Sequence, residues 1–147
     1  MVLDYCIAKK AKLIYSASSS KFGNDGKDEN LSPYAWMKAK MVELINNYAE
    51  WFDLRFEITY FYNAYGPGQV RTGDYATVIG IFEEQYSKGE PLTVVEPGEQ
   101  SRDFTHINDI VSGVVLAAEK GQQGEYPLGT GTLHKIIDVA KMFNHKH

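Results

Sequence analysis

The sequence contains only one cysteine, Cys6, in 147 residues. A disulfide within the chain and a cluster of thiolate metal ligands are therefore excluded, and we predict no metal site. A buried free thiol in a reducing compartment is the simplest interpretation, which favours a cytoplasmic protein. The first twelve residues contain no long apolar stretch followed by small residues, as a signal peptide would. No segment approaches the length of a transmembrane helix.

Basic runs are also missing. The formal net charge is -4, with 19 acidic against 15 basic residues, so neither nucleic acid nor a membrane surface is an expected partner. An anionic ligand stays possible, because local arginines and backbone N–H groups can outweigh a mild net charge. The hydrophobic content of 44% is ordinary for a soluble globular protein, and the length predicts a single domain.

Helical and strand-like patterns alternate along the chain. Helices are predicted over residues 1–10, 33–52, 76–88, 107–120 and 132–143, and strands over residues 12–16, 56–62, 92–95 and 125–128. Ser32 and Pro33 form a helix start, and Asn24-Asp25-Gly26 forms a turn. This alternation predicts an α/β fold with a mostly parallel sheet. Ligands of such sheets bind at the carboxyl ends of the strands, so residues 16–20 and 63–71 are the candidate ligand-binding loops.

Tyr34 and Lys38 lie four residues apart in a predicted helix, so their side chains share one face. A nearby ammonium stabilises a phenolate and lowers the pKa of a tyrosine, which makes the hydroxyl a usable base. The same ammonium can donate to the ribose hydroxyls of a nicotinamide cofactor. A Tyr-x-x-x-Lys pair alone also arises by chance, as a tyrosine at the core edge beside a solvated lysine.

Three further segments contain residues that can act together with Tyr34 and Lys38. Ser18-Ser19-Ser20 follows a predicted strand, where a hydroxyl can hold a substrate oxygen or simply belong to a flexible polar loop. Asn63-Ala64-Tyr65-Gly66-Pro67 follows the next strand, and Ser101-Arg102-Asp103-Phe104-Thr105-His106 comes later. With the Gly129-Thr130-Gly131 turn, these segments stand in the order seen in the NAD-dependent epimerase/dehydratase family of extended short-chain dehydrogenases/reductases. The sequence resembles that family from about Lys12 to Phe143.

The resemblance implies a role for each matching residue. Ser18, four residues before Phe22 of the Phe22-Gly23 pair, is similar to the catalytic serine, with Ser19 as the substrate-binding fallback. Tyr34 resembles the base and Lys38 its partner, and both also contact the cofactor, as does Phe61. The other residues similar to substrate-binding positions are Asn63 and Arg102 at the phosphates and Ala76, Thr77 and Val78 near the base and sugar.

The chain departs from the family pattern in three places. Tyr60 replaces the usual arginine, and Phe61 replaces a tyrosine that packs near the nicotinamide. No Gly-x-Gly-x-x-Gly or Gly-x-x-Gly-x-x-Gly motif follows a strand, although NAD pyrophosphate needs such a turn. We therefore expect a partial Rossmann-like chain, with its catalytic half over residues 1–75 and a mostly sugar-nucleotide-binding part over residues 76–147. By itself it is expected not to bind NAD tightly.

The implied reaction is epimerisation of a nucleotide sugar, of the UDP-hexose 4-epimerase type. Tyr34 takes the proton of a sugar hydroxyl while a hydride passes to NAD, and Ser18 holds the oxygen. Dehydration is disfavoured, since Ser19-Ser20 stands where dehydratases carry Asp-Glu. A nucleotide-sugar reductase, an ADP-heptose type of epimerase and a catalytically inactive truncated chain stay as alternatives. The family also implies a homodimer through the Tyr34 helix, on a face with Met37, Met41, Leu44 and Tyr48.

Overall fold

The structure, a computed structural model, describes residues 2–22 and 32–144. Gly23 and the predicted turn at Asn24-Asp25-Gly26 lie outside the described residues. The elements in chain order are α1 (Val2–Lys9), β1 (Leu13–Ser18), α2 (Pro33–Phe52), β2 (Phe56–Phe61), β3 (Ala64–Tyr65), α3 (Val78–Ser87), β4 (Ser101–Asp103), β5 (Thr105–His106), α4 (Ile107–Lys120), β6 (Glu125–Leu128), β7 (Leu133–Lys135) and α5 (Ile136–Asn144).

The chain forms two units. The first contains Met1–Phe61 and Ile110–Leu128, and the second contains Tyr62–Asp109 and Gly129–His147. The sequence-based division near residue 75 concerns function and stays a prediction. No helix within residues 2–22 and 32–144 is long and apolar enough to cross a membrane.

A parallel three-stranded sheet in the order β1-β2-β6 is the centre of the first unit. The middle strand β2 is buried from Phe56 to Tyr60, and the side chains of Ile58 and Tyr60 are fully buried. Parallel sheets are covered on both faces, so their central strands are buried and mostly apolar or aromatic, and Glu57 is the charged exception in β2. The predicted α/β fold with a mostly parallel sheet is therefore confirmed.

Helix α2 begins where the local signals predict. The Ser32 hydroxyl accepts a hydrogen bond of 3.1 Å from the backbone N–H of Ala35, and Pro33 occupies the first helical position. The helix ends at Phe52, where Asp53 takes a left-handed conformation with φ 56°. Ala35, Val42 and Ile45 are the buried residues of the helix, so one stripe packs inward and fixes which residues face outward.

The second unit has two small sheets and a separate core. β3 pairs with β5 in parallel, and β4 pairs with β7 in antiparallel register. Helices α3 and α5 supply Phe82, Val139 and Ala140, which form a buried apolar cluster. Leu92 and Val94 pack against this cluster from the segment that follows α3.

Two sequence-based predictions in this unit were wrong. Residues 92–95 were predicted to form a strand, but within the described chain they are not assigned to one and no strand pairs with them. The final helix begins at Ile136 rather than at residue 132, because Leu133–Lys135 pairs with β4 instead. The short strands β3, β4, β5 and β7 were not predicted, since strands of two or three residues carry little periodicity.

Candidate functional site

The first turn of α2 brings Tyr34 and Lys38 onto one face. The Lys38 ammonium lies 5.8 Å from the centroid of the Tyr34 ring and 5.2 Å from that of the Tyr15 ring. It also donates a hydrogen bond of 2.8 Å to the backbone carbonyl of Ser16 in β1. Tyr34 is 56% exposed, so the ring is open to a ligand while Lys38 fixes the helix to the strand.

Ser18 is the last residue of β1, at the carboxyl edge of the parallel sheet. Its Cα lies opposite that of Phe61, the last residue of β2, so both side chains start from this edge. The Ser18 hydroxyl accepts hydrogen bonds from the Ser20 N–H at 3.3 Å and the Ser20 hydroxyl at 3.0 Å. Ser19 begins a 3₁₀ turn over residues 19–22. The roles assigned to Ser18, Ser19 and Phe61 stay predictions.

A polar cluster beside this turn was missed by sequence reasoning. The Lys21 ammonium donates 2.9 Å hydrogen bonds to the Tyr60 hydroxyl and to the Glu125 carboxylate, and the Tyr60 hydroxyl donates to Glu125 at 2.6 Å. Phe22 packs edge-on against the Tyr60 ring, with centroids 4.7 Å apart. Burial and the bond to Glu125 raise the pKa of Tyr60 to about 12, so the phenol keeps its proton. The cluster ties the turn after Ser18 to β2 and β6.

The second unit contains an open cavity of about 530 Å³. Its walls come from the start of α3, the extended segment after that helix, and β4. The lining residues are Asn63, Tyr65, Thr77, Val78, Ile79, Ile81, Phe82, Thr93, Val95, Gln100, Arg102, Phe104 and Ile136. Most of them are apolar or aromatic, which is typical of a site for an organic ligand. Arg102 is the only charged side chain among these described residues.

Arg102 is exposed and has no carboxylate partner within the described residues. Its guanidinium donates a hydrogen bond of 2.9 Å to the carbonyl of Ser101. The two neighbouring acids have other partners: Glu99 forms an ion pair with Lys135, and Asp103 accepts hydrogen bonds from the 129–131 turn. The remaining guanidinium donors of Arg102 are thus available to an anion at the cavity.

Asp103 connects β4, which contains Arg102, to the turn at residues 129–131. Its buried carboxylate accepts the N–H of Thr130 at 3.0 Å, the hydroxyl of Thr130 at 2.7 Å and the N–H of Gly131 at 2.9 Å. Burial opposes ionisation, but these hydrogen bonds outweigh it and hold the pKa of Asp103 below its ordinary value. The Asn63 amide donates to the backbone carbonyl of Asp103 at 2.9 Å, so part of its donor capacity serves the fold.

The three positions predicted near the base and sugar differ in their placement. Thr77 and Val78 line the cavity at the start of α3. Ala76 is not among the lining residues, and its N–H donates to the carbonyl of Gly73 at 3.1 Å. Gly80 lets the preceding loop lie close to α3, because a Cβ there would lie 2.5 Å from the carbonyl oxygen of Val70. The sequence pattern predicted the region but not which side chains reach the cavity.

A parallel α/β sheet with Tyr34 and Lys38 one helical turn apart beside β1 is typical of Rossmann-like proteins of the short-chain dehydrogenase/reductase class. A protein-family match identifies the family within this class. The family model described as "NAD dependent epimerase/dehydratase family" matches residues 1–129. The chain belongs to this family.

Individual relatives agree with this assignment. The chain is 30% identical to an ADP-L-glycero-D-manno-heptose-6-epimerase of Brachyspira hyodysenteriae, over 95% of this chain and 48% of that protein. The structure of a UDP-N-acetylglucosamine 4-epimerase from Methanobrevibacter ruminantium M1 in complex with UDP-N-acetylmuramic acid is similar with a TM-score of 0.87 and 27% identity, covering 96% of this chain and 48% of that one. A UDP-glucose 4-epimerase with UDP-glucose from Thermotoga maritima gives 0.86 and 26%, covering 97% and 50%. The chain thus spans about half the length of these relatives.

Proposed function

We propose that this chain supplies the proton-transfer groups and the nucleotide-binding cavity of an NAD-dependent nucleotide-sugar epimerase, of the UDP-hexose 4-epimerase type. The observation that carries the proposal is the position of the Lys38 ammonium over the exposed ring of Tyr34, at the carboxyl end of β1. The hydrogen bond to Ser16 fixes the ammonium at this position, which solvent contacts alone would not do. Two solved relatives named as 4-epimerases of UDP-sugars, at 26% and 27% identity, support the substrate class.

In the proposed reaction Tyr34 accepts the proton of a sugar hydroxyl and returns it after the sugar carbon has changed configuration. The positive charge of Lys38 stabilises the phenolate form of Tyr34 during this step. Ser18 holds the sugar oxygen by a hydrogen bond, since the hydroxyl can still donate while it accepts from Ser20. Ser19 is the alternative donor.

The residues of the first unit fit a nicotinamide cofactor. Tyr34 is more than half exposed, and Lys38 keeps N–H donors beyond the one bonded to Ser16, so both can contact a ribose. Phe61 at the end of β2 offers an apolar contact for a ring. NAD, when bound, would supply a reversible hydride acceptor for the sugar carbon. The 147-residue sequence has no glycine-rich turn for the pyrophosphate, so we propose that this chain alone binds NAD weakly and is inactive.

On the substrate side, Arg102 is proposed to bind the diphosphate through its free guanidinium donors. The apolar cavity walls, with Thr77 and Val78, would contact the base and sugar. The remaining amide capacity of Asn63 suits a phosphate oxygen. The single reduced cysteine suits a cytoplasmic enzyme, and the exposed apolar face of α2 suits a homodimer.

A second candidate is an epimerase of the ADP-heptose type, favoured by the 30% identity to a protein of that name. A reductase or a dehydratase of this family would use the same tyrosine and lysine, and no contact among the described residues favours either. The nucleotide base separates the two epimerase candidates, so binding of UDP and ADP can be compared directly.

The test is calorimetric titration of the 147-residue chain with UDP, UDP-glucose and ADP. We expect UDP and UDP-glucose to bind, and Arg102→Ala to weaken UDP binding by about tenfold, as for the loss of a charge-assisted contact. Tighter binding of ADP would favour the second candidate. No nucleotide binding at millimolar concentration would overturn the proposal, and NAD-supported turnover that Tyr34→Phe abolishes would disprove inactivity of the chain alone.

A further inference from the structure

The extended segment over residues 91–95 forms part of the cavity wall without belonging to a sheet. Leu92 and Val94 point into the apolar core of the second unit, whereas Thr93 and Val95 line the cavity. This alternation is that of a strand, but no strand within the described residues pairs with the segment. Its backbone polar groups therefore need partners of another kind.

Gln85 of α3 supplies such a partner. Its side-chain oxygen accepts the backbone N–H of Thr93 at 3.1 Å, and its side-chain nitrogen donates to the Thr93 hydroxyl at 2.8 Å. A primary amide offers an acceptor and a donor side by side, as a peptide group does, so Gln85 takes the place of a neighbouring strand. Thr93 is held at both its backbone and its side chain.

The other end of the segment is anchored by a turn. The N–H of Gly98 donates to the carbonyl of Val95 at 2.8 Å, and the carbonyl of Gly98 accepts from Ile137 at 3.1 Å. A Cβ at Gly98 would lie 2.8 Å from a methyl group of Val94, so the turn packs closely on the segment. With this end fixed by the backbone, the Gln85 amide adds polar contacts at Thr93 to the apolar packing of Leu92 and Val94.

We infer that Gln85 is a positioning residue for nucleotide binding: it holds Thr93 in the cavity wall without itself lining the cavity. This inference rests on the proposed function, in which the cavity takes a nucleoside diphosphate. Without Gln85, the wall at Thr93 must be ordered when the ligand binds, and that ordering reduces affinity. The diphosphate contact at Arg102 does not depend on this wall, so the loss falls on the nucleoside part.

The experiment compares Gln85→Leu, Gln85→Glu and the exposed control Gln122→Leu in titrations with UDP and with inorganic pyrophosphate. Leucine keeps the helix propensity and the approximate size but removes both hydrogen bonds. Glutamate can accept from the N–H and from the hydroxyl of Thr93, so it restores the contact. We expect Gln85→Leu to weaken UDP binding about tenfold, pyrophosphate binding to stay unchanged, and Gln85→Glu to recover most of the UDP affinity.

Thermal unfolding of each variant shows whether the fold is kept. Equal UDP affinity of Gln85→Leu and Gln122→Leu would overturn the positioning role and leave the proposed function standing. Equal weakening of UDP and pyrophosphate would also overturn it, because the effect would then be general to the unit. Failure of the unaltered chain to bind UDP would overturn the proposed function, and this inference with it.

Discussion

The Lys38 ammonium donates a 2.8 Å hydrogen bond to the backbone carbonyl of Ser16, which joins α2 to β1. Lys38 therefore has a structural role besides the proposed one on Tyr34. We expect Lys38→Met to lower the free energy of unfolding by about 1 kcal/mol, as for the loss of one hydrogen bond.

Urea unfolding of the purified chain measures this change. Lys141→Met is the control, since Lys141 makes an exposed ion pair with Asp138 in α5 that should contribute less than about 0.5 kcal/mol. Equal effects of the two substitutions would contradict a structural role for the Lys38–Ser16 bond.

The second prediction concerns Glu57, a fully buried carboxylate in the central strand β2. It accepts the N–H groups of Gly124 at 3.0 Å and Gln123 at 3.3 Å, and it pairs with the Lys12 ammonium at 3.1 Å. Burial opposes ionisation, but these partners outweigh it and lower the pKa of Glu57. Because the folded chain holds the charged form, the stabilisation is present above the unfolded pKa of about 4.3 and is lost as the pH falls.

We expect Glu57→Gln to lower the free energy of unfolding at pH 7 by roughly 2–4 kcal/mol, because a buried charged network loses its centre. The variant should also lose part of the decline in stability between pH 5 and pH 3 (a window of roughly this width follows from linkage). Urea unfolding over that range checks both effects, with exposed Glu50→Gln as the control. An unchanged pH slope in Glu57→Gln would show that folding does not lower the pKa of this carboxyl group.

Local signals in the sequence predicted much of the first unit. Ser32 and Pro33 predicted the start of α2 to the residue, and the aromatic and β-branched run from Phe56 predicted β2. In the second unit residues 92–95 were predicted to form a strand, whereas Thr93 is held by the side chain of Gln85. A side chain that takes the place of a neighbouring strand leaves no periodic pattern, so the sequence contains no signal for this contact.

The candidate site was likewise predicted from the sequence only in part. The helical spacing of Tyr34 and Lys38 predicted their common face. The Lys21–Tyr60–Glu125 cluster was missed because it joins residues 39, 104 and 65 positions apart, and only the fold brings them together. The departure at Tyr60 from the family's arginine was visible in the sequence, but not its new partners.

The third prediction concerns this Tyr60 hydroxyl. Its pKa is raised to about 12, chiefly by burial and then by the hydrogen bond to Glu125. The folded chain holds the neutral form, so this contribution to stability is complete below the unfolded pKa of about 10 and is lost as the pH rises towards about 12. In a spectrophotometric tyrosine titration of the folded chain, we expect Tyr60→Phe to remove the component that titrates at the highest pH. Tyr75→Phe, at a 90% exposed position, should leave that component in place. A late component that persists in Tyr60→Phe would assign it to another tyrosine.

The fourth prediction concerns the carboxylate of Asp103 and its bonds to Thr130. Because the Thr130 N–H and hydroxyl both donate to Asp103, the effects of Asp103→Asn and Thr130→Val should not add. We expect each single variant to lower the free energy of unfolding by about 1–3 kcal/mol and the pair to show a coupling of about 1 kcal/mol. A double-mutant cycle in urea measures this coupling. Additive effects would mean that the 129–131 turn is held by other contacts.

The last prediction concerns the exposed face of α2, where we propose that a second copy of the chain binds. On the predicted face, Met37 is more than half exposed, whereas Met41, Leu44 and Tyr48 are half-buried. Trp51 and Phe52 near the end of the helix are also more than half exposed, and large exposed apolar patches mark interaction sites. We expect sedimentation to show a dimer that dissociates on dilution. Met37→Glu should shift this equilibrium towards monomer by at least about tenfold, because a carboxylate would be buried without a partner at the interface. Tyr75→Glu introduces the same charge at an exposed position of the second unit and should leave the equilibrium unchanged. A chain that sediments as a monomer at every concentration, or a dimer that both substitutions weaken equally, would show that this face is not the interface.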